Sequence, residues 1–144
     1  MSIYLDSSAV VKLALDESGA KQSWELVGTH SLVTSRITCV ELRAALARRE
    51  REAPLHAELW QLSRQDLERI WRKIRVVGLT SSLALLAGDC AKAFALRGYD
   101  AVQLASAQSA RSAAQGDGLF PCFNRRLNTA ASLPGLALPQ WKQI

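Results

Sequence analysis

The sequence predicts a single α/β domain with a central parallel sheet of four to five strands flanked by helices. Short apolar runs that suit buried strands alternate along the chain with longer segments of helical periodicity, and this alternation is typical of parallel α/β proteins. The chain has 144 residues, of which 49% are hydrophobic, and this is enough for one packed core. We therefore expect residues 1–144 to form one domain in three layers.

The first half of the chain contains two strand candidates and three helix candidates. Ser2–Leu5 is a short apolar run that suits a strand, and the periodicity becomes helical over 6–15. A short helix is predicted over 20–27 and a second strand over 31–35. The segment from Thr38 to about Arg51 is rich in Ala, Leu, Arg and Glu, and it predicts a longer helix.

The middle of the chain predicts another helix followed by a third strand. Pro54 suits the first turn of a helix, and apolar residues then recur at helical spacing as far as Ile74. Residues 74–79, "IRVVGL", form the third strand candidate. Ser81 or Ser82 is the expected N-cap of the helix that follows.

The last part of the chain predicts two helices and up to two strands. The helix after the third strand is expected to run to Leu96 and to end at Gly98. A further helix is predicted from Asp100 to about residue 114, and residues 119–123 form the next strand candidate. The segment 135–141, "GLALPQW", is a candidate edge strand, which gives the count of four to five strands.

Composition excludes several classes of protein. The three cysteines share no short spacing, so neither a zinc pattern nor a disulfide framework is predicted. The Ala- and Leu-rich run 83–96 contains Asp89 and Lys92 and is too short and too charged to span a membrane. We expect a soluble cytoplasmic protein, whose formal charge of +5 permits a polyanionic partner such as nucleic acid.

Acidic and amide side chains stand where strands are expected to end or helices to begin. Asp6 follows the first strand, Glu41 lies one helical turn into the element after the second, and Asn124 follows the last. Asp100 opens a helix that is otherwise mostly apolar or small. Ligands of open parallel sheets bind beyond the carboxyl ends of the strands, so these are the residues to inspect for chemistry.

Each of these residues also has a simpler structural interpretation. Asp6, Asp100 and Asn124 all occupy N-cap positions, and Thr38 with Glu41 fits a capping box. As a set, however, the carboxylates repel one another unless they are protonated or bind a cation. A hard ion with oxygen ligands, Mg²⁺ or Mn²⁺, is the natural occupant and suits phosphoryl chemistry.

Four segments resemble the PIN-domain ribonucleases, and within them the VapC toxins of bacterial toxin–antitoxin pairs. They are "YLDSSAVVKL", "VTSRITCVELRAAL", "LRGYDAVQLASA" and "FNRRLNTAA", in this order along nearly the whole chain. The resemblance implies a Rossmann-like fold and metal-dependent hydrolysis of RNA phosphodiester bonds. It assigns metal binding and catalysis to Asp6, Glu41 and Asp100 and places Ser8 as a hydroxyl near the site.

The sequence departs from the family pattern at Asn124. Family members often have a fourth acid there, so this chain offers a neutral oxygen and one negative charge fewer. Asn124 is therefore assigned a peripheral place, and a second metal ion is expected to bind more weakly. Asp117 is a candidate to compensate, but it fits equally well as a turn residue between two glycines.

Basic and aromatic residues suggest the partners. Arg125 and Arg126 follow the last strand beside the proposed site, where a phosphate of RNA would lie. The arginines over 43–75 suit either a solvated helix face or an RNA-binding surface. Trp60 and Trp71 suit either core packing or a groove for a partner's helix. The resemblance implies a cognate VapB-type antitoxin and a toxin homodimer.

Two other functions stay open at this point. One is a catalytically weak PIN-like module that binds RNA or an antitoxin, an alternative raised by Asn124. The other is a receiver-type phosphotransfer protein, which is disfavoured because the first strand ends in one acid and no Lys follows the last strand. A Ser–His–Asp type of nucleophilic site is not predicted, since His30 and His56 have no suitably placed partners.

Overall fold

A computed structural model describes residues 2–15, 28, 30–114 and 118–119. Within these ranges the chain forms four strands, five α-helices and one short 3₁₀ turn over Pro54–His56. The strands are β1 (Ser2–Tyr4), β2 (Ser31–Ser35), β3 (Ile74–Val77) and β4 (Gly118–Leu119). The helices are α1 (Ser7–Leu15), α2 (Arg36–Glu52), α3 (Ala57–Trp71), α4 (Ser81–Phe94) and α5 (Gly98–Ala114).

The sheet confirms the predicted parallel α/β class. Its strand order is β3-β2-β1-β4, and every described pair of strands is parallel. Ile3 of β1 faces Leu32 of β2 on one side and Leu119 of β4 on the other. β1 is thus an inner strand, and its carboxyl end opens onto the crevice where parallel sheets place their ligands.

Residues on the two faces of the sheet belong to separate cores. Ile3 and Leu5 pack with buried residues of α1, α2 and α3, whereas Tyr4 packs with buried residues of α4 and α5. This follows from the alternation of side chains along a strand. The result is the predicted three-layer arrangement, with α1, α2 and α3 on one face and α4 and α5 on the other.

The ends of α4 differ from the prediction. Its N-cap is Thr80, whose hydroxyl accepts the backbone N–H of Leu83 at 3.2 Å. Ser81 and Ser82 are therefore inside the helix. The helix ends at Ala95, a left-handed residue with φ of 52°, so Gly98 is the first residue of the next helix and not the terminator of this one.

Other expectations from the sequence are resolved in part. None of the helices in the described ranges is both long and apolar enough to cross a membrane. Cys90 is buried and Cys39 is half-buried, and both are free thiols. The predicted helix over 20–27 and the candidate edge strand over 135–141 lie outside the described residues.

Candidate active site

Asp6 begins the candidate site directly after the inner strand β1. Its side chain is only 4% exposed, and its Oδ1 accepts the backbone N–H of Ala9 at 3.0 Å. The Ser8 hydroxyl lies 2.8 Å from each carboxylate oxygen of Asp6. The predicted capping role of Asp6 is confirmed, whereas a role for Ser8 in the site stays a prediction. Helix α1 therefore fixes the position of a buried carboxylate at the end of the sheet.

Glu41 does not take part in the capping box that the sequence suggests. Helix α2 starts at Arg36, and its N-cap is Ser35, whose hydroxyl accepts the N–H of Ile37 at 3.3 Å. Because Thr38 and Glu41 are both inside the helix, the capping-box interpretation is wrong. The Glu41 carboxylate instead accepts a hydrogen bond from the hydroxyl of Ser7, the residue after Asp6. Glu41 therefore faces the amino terminus of α1 rather than its own helix start.

A buried glutamine connects Glu41 to the rest of the site. Gln103 of α5 is 2% exposed, and its Nε2 lies 3.0 Å from Glu41 Oε2, 2.7 Å from Ser7 Oγ and 2.9 Å from Thr38 Oγ1. Its Oε1 accepts a hydrogen bond from the Tyr4 hydroxyl at 2.7 Å. One amide thus joins residues from β1, α1 and α2.

Two threonines link the start of α2 to the end of β1. Thr34 donates its hydroxyl to the carbonyl oxygen of Leu5 at 2.6 Å, and the hydroxyls of Thr34 and Thr38 lie 2.8 Å apart. Since the Thr34 proton is used on Leu5, Thr38 is the donor to Thr34, and the Thr38 oxygen is then available as an acceptor for Gln103. These contacts fix the start of α2 relative to the end of β1, where Asp6 follows.

Tyr4 contributes a buried phenol to the candidate site. Burial raises the pKa of the Tyr4 phenol well above its usual range, and the negative charges of Asp6 and Glu41 raise it further. The phenol therefore keeps its proton at any pH at which the protein works, and it remains a hydrogen-bond donor. The hydrogen bond from Ser7, the residue after Asp6, to Glu41 brings the two acids into the same part of the structure.

Asp100 lies in the first turn of α5, one helical turn before Gln103. The helix starts at Gly98, so Asp100 is not the N-cap that the sequence suggests, and its side chain is half-buried. α5 packs against β1, β2 and α2. Within the described ranges, however, no group of three or more His, Cys, Asp or Glu side chains is close enough together to hold a metal ion. The convergence of all three acids on one ion therefore stays a prediction.

The chemistry of the side chains fits a hard divalent cation. Asp6, Glu41 and Asp100 offer carboxylate oxygens, which Mg²⁺ and Mn²⁺ prefer. Both hydrogen bonds to Glu41 end on Oε2, and no described residue donates to its Oε1. With respect to the described residues, Glu41 Oε1 is thus left for a ligand, whereas Oε2 is held by hydrogen bonds.

The other predicted site residues lie outside the described ranges. These residues are the peripheral Asn124, the phosphate candidates Arg125 and Arg126, and Asp117.

The basic residues on the middle helices show ion pairs typical of a solvated face. Arg64 of α3 pairs with Glu50 of α2, and Arg69 pairs with Asp66 at 3.1 Å on α3. Trp71 packs against the core, whereas the Trp60 indole donates to the carbonyl of Ala53 at 2.8 Å. An RNA-binding role for this surface stays a prediction.

Comparison with known families agrees with this architecture. The family model of the PIN domain matches residues 3–132. The chain belongs to the PIN domain family. This match begins at Ile3 within β1 and covers the other described strands and helices, together with Asp6, Glu41, Asp100 and Gln103.

Two relatives of this PIN domain are ribonucleases of the VapC type. Ribonuclease VapC45 and ribonuclease VapC49, from two strains of Mycobacterium tuberculosis, are each 40% identical to it over 138 residues, which is 92% of this chain and 91% of theirs. The resemblance to VapC ribonucleases is therefore confirmed.

Solved structures show the same fold at low sequence identity. VapBC2 from Rickettsia felis, crystallised with a DNA fragment from its promoter, matches with a TM-score of 0.69 and 12% identity and covers 99% of this chain and 100% of that one. FitAcB from Neisseria gonorrhoeae matches with a TM-score of 0.68 and 18% identity over 94% and 95% of the two chains.

Four polar residues at the PIN site were not among those predicted from the sequence: Tyr4, Ser7, Thr38 and Gln103. For two of them, Tyr4 and Gln103, the spacing to a predicted acid in the sequence indicates a place near the site. Tyr4 and Asp6 are two residues apart along an extended segment, so their side chains point to the same side. Gln103 is one helical turn after Asp100 on a mostly apolar helix, where a buried amide requires partners.

Proposed function

We propose that this protein is the toxin of a type II toxin–antitoxin pair and acts as an endoribonuclease that hydrolyses RNA phosphodiester bonds with Mg²⁺ or Mn²⁺. The observation that carries the proposal is the placement of Asp6 and Glu41 at the carboxyl end of the inner strand of a PIN domain. The identity of 40% to two VapC ribonucleases over nearly the whole chain supports the same reaction.

Each acid has a separate task in the proposed reaction. Asp6 and Asp100 are the principal metal ligands, and Glu41 completes the shell or orients the attacking water. A divalent ion bound by these acids would supply Lewis-acid chemistry for hydrolysis of a phosphodiester. The Ala9 N–H and the Ser8 hydroxyl keep the Asp6 carboxylate in place while RNA binds. Ser7 does the same for Glu41.

The residues that follow the last strand complete the proposed site. Arg125 and Arg126 are proposed to contact RNA phosphates, so that a positive rim surrounds an acidic centre. Asn124 supplies a neutral oxygen at the periphery. With one charge fewer than four acids would give, we propose that a first ion binds more tightly than a second.

A VapB-type antitoxin is the proposed protein partner, with a homodimer of the toxin as the basic unit. Solved structures with this fold include toxin–antitoxin complexes from Rickettsia felis and Klebsiella pneumoniae. On α3 and the turn before it, Leu55, Leu59 and Leu62 are 95%, 53% and 57% exposed. Leu59 and Leu62 are one turn apart on the same side of α3, and Leu55 lies in the turn before the helix. We propose that an apolar helix of the antitoxin packs against these exposed leucines.

The central test is metal-dependent cleavage of RNA by purified protein. The wild type is expected to cleave total cellular RNA in the presence of Mg²⁺ or Mn²⁺. Excess chelator should abolish this cleavage, and so should addition of the cognate antitoxin. Asp6→Asn and Asp100→Asn should each reduce the rate by about a hundredfold or more, because loss of a charged ligand should exceed the roughly 10–100-fold effect of losing a residue that only orients one. Asn retains the capping ability of Asp, so Asp6→Asn should fold normally.

The matched control is Asp89→Asn, the same change on an exposed part of α4. It should leave cleavage unchanged. Cleavage that survives both Asp6→Asn and Asp100→Asn, or that persists in chelator, contradicts the nuclease proposal. RNA or antitoxin binding by a wild type that never cleaves would instead identify a catalytically weak binding module, the alternative that Asn124 raises. Asn124→Asp should tighten Mn²⁺ binding if that side chain faces the ions.

A further inference from the structure

We propose that Gln103 is a positioning residue for Glu41: its amide holds one carboxylate oxygen so that the other faces the metal site. This inference rests on the proposed function, because it concerns the same acids. The supporting observation is the number and direction of the hydrogen bonds around one buried amide. Gln103 is 2% exposed, and both its amide nitrogen and its amide oxygen make hydrogen bonds.

The orientation of the Gln103 amide is determined by its neighbours. With Nε2 toward Glu41, the contact of 3.0 Å is a hydrogen bond from an amide to a carboxylate. With the amide turned over, the amide oxygen would face the carboxylate at that distance, and two acceptors would repel each other. The Tyr4 hydroxyl suits the first orientation, because it then donates to Oε1 at 2.7 Å. Because a phenol can donate or accept, Tyr4 is compatible with this orientation, and the acceptor-only carboxylate of Glu41 selects it.

The hydroxyl groups of Ser7 and Thr38, which lie beside Gln103 Nε2, can both act as hydrogen-bond acceptors. The Ser7 proton is used on Glu41, and the Thr38 proton is used on Thr34, so both oxygens can accept from Gln103. The two amide protons are shared among Ser7, Thr38 and Glu41 at 2.7–3.0 Å. All three acceptors belong to α1 or α2, so the amide on α5 fixes the relative position of these helices at the site.

The consequence for Glu41 is a carboxylate with two different oxygens. Oε2 accepts hydrogen bonds from both Ser7 and Gln103, whereas Oε1 accepts none from the described residues. A glutamate has several rotatable bonds, and without Gln103 its carboxylate would be held by Ser7 alone. Partners that orient metal ligands typically change metal affinity or activity by about 10–100-fold when they are removed.

The test measures Mn²⁺ binding without RNA, by titration calorimetry, and RNA cleavage separately. Gln103→Met keeps a side chain of similar length but removes every hydrogen bond. It should weaken Mn²⁺ binding about 10-fold or more. It should lower kcat while leaving KM for RNA nearly unchanged, because the amide contacts Glu41 and not the phosphate backbone. Gln108→Met is the matched control, since this half-buried glutamine on the same helix contacts Cys90 and not the acids, and it should match the wild type.

A second variant keeps the proposal testable if Gln103→Met folds poorly. Tyr4→Phe leaves Gln103 in place but removes the hydrogen bond that anchors its Oε1, so Mn²⁺ affinity should fall by a smaller factor. If Tyr4 acts only through Gln103, the double variant should bind Mn²⁺ no more weakly than Gln103→Met alone. A purely structural role for Gln103 would lower the thermal midpoint and leave the Mn²⁺ dissociation constant unchanged, and that result would overturn the inference alone. A wild type that binds no Mn²⁺ would overturn the proposed function as well.

Discussion

The buried phenol of Tyr4 gives a stability prediction that can be worked out from its surroundings. Tyr4 is 5% exposed and donates to Gln103 Oε1 at 2.7 Å. In Tyr4→Phe this hydrogen bond is lost and a buried amide oxygen is left without its donor. Such a change costs about 1–3 kcal/mol. We expect the free energy of unfolding of Tyr4→Phe to be about 2 kcal/mol below that of the wild type at pH 8.

The same reasoning predicts that this difference disappears in alkali. The pKa of Tyr4 is raised in the folded protein by burial and by the charges of Asp6 and Glu41, whereas in the unfolded chain it is near 10. Above about pH 10 the unfolded chain releases a proton that the folded protein keeps, so the wild type loses about 1.4 kcal/mol of stability per pH unit. Tyr4→Phe lacks this proton, and a difference of about 2 kcal/mol should close near pH 11.5.

The measurement is urea unfolding between pH 8 and pH 11.5, followed by tryptophan fluorescence, for both proteins. Lysines and other groups titrate in both, so their contributions cancel in the difference. Tyr99→Phe is the control, because Tyr99 is 56% exposed and should give a curve parallel to that of the wild type. A constant difference between Tyr4→Phe and the wild type over the whole range would refute the view that burial holds the proton on Tyr4.

Two further predictions concern other parts of the fold. Ser35→Ala removes the N-cap of α2 and should lower the free energy of unfolding by about 1 kcal/mol. This corresponds to a melting temperature lower by about 3 °C. An unchanged melting temperature would contradict the assignment of Ser35 as the cap. Cys90 should react with an alkylating reagent at pH 8 more slowly than Cys39, because Cys90 is buried and its thiol pKa is raised by burial and by the Asp89 charge. Peptide mapping of a timed reaction measures both rates, and equal rates would contradict this.

The fold was predictable where the residue pattern is governed by burial. The strand over Ser31–Ser35 and the parallel order of the sheet follow from apolar runs between amphipathic helices. Helix ends were harder to predict, because several residues near each end can serve as caps. Thr80 and Ser35 each have a competing Ser or Thr within the next three positions, and the structure alone selects between them.

The acids of the site were also visible in the sequence, but the residues that orient them were not. An isolated carboxylate after a strand draws notice through its charge. Gln103 is uncharged and lies among small apolar residues, and its partners are 62–99 residues away along the chain. Only the packing of α5 against β1 and α2 determines that its amide meets Glu41. Residue periodicity carries no information about such distant contacts.

The distance along the chain between Tyr4 and Gln103 also bears on synthesis. A ribosome makes Asp6 and Glu41 early, yet Gln103 is 99 residues after Tyr4, and the β4 partner of β1 comes later still. An incomplete chain that ends before α5 therefore contains two of the three acids without the amide that orients Glu41, and its strand β1 has an unpaired edge. Prematurely terminated translation products of this gene should accordingly be harmless to cellular RNA, and also prone to degradation.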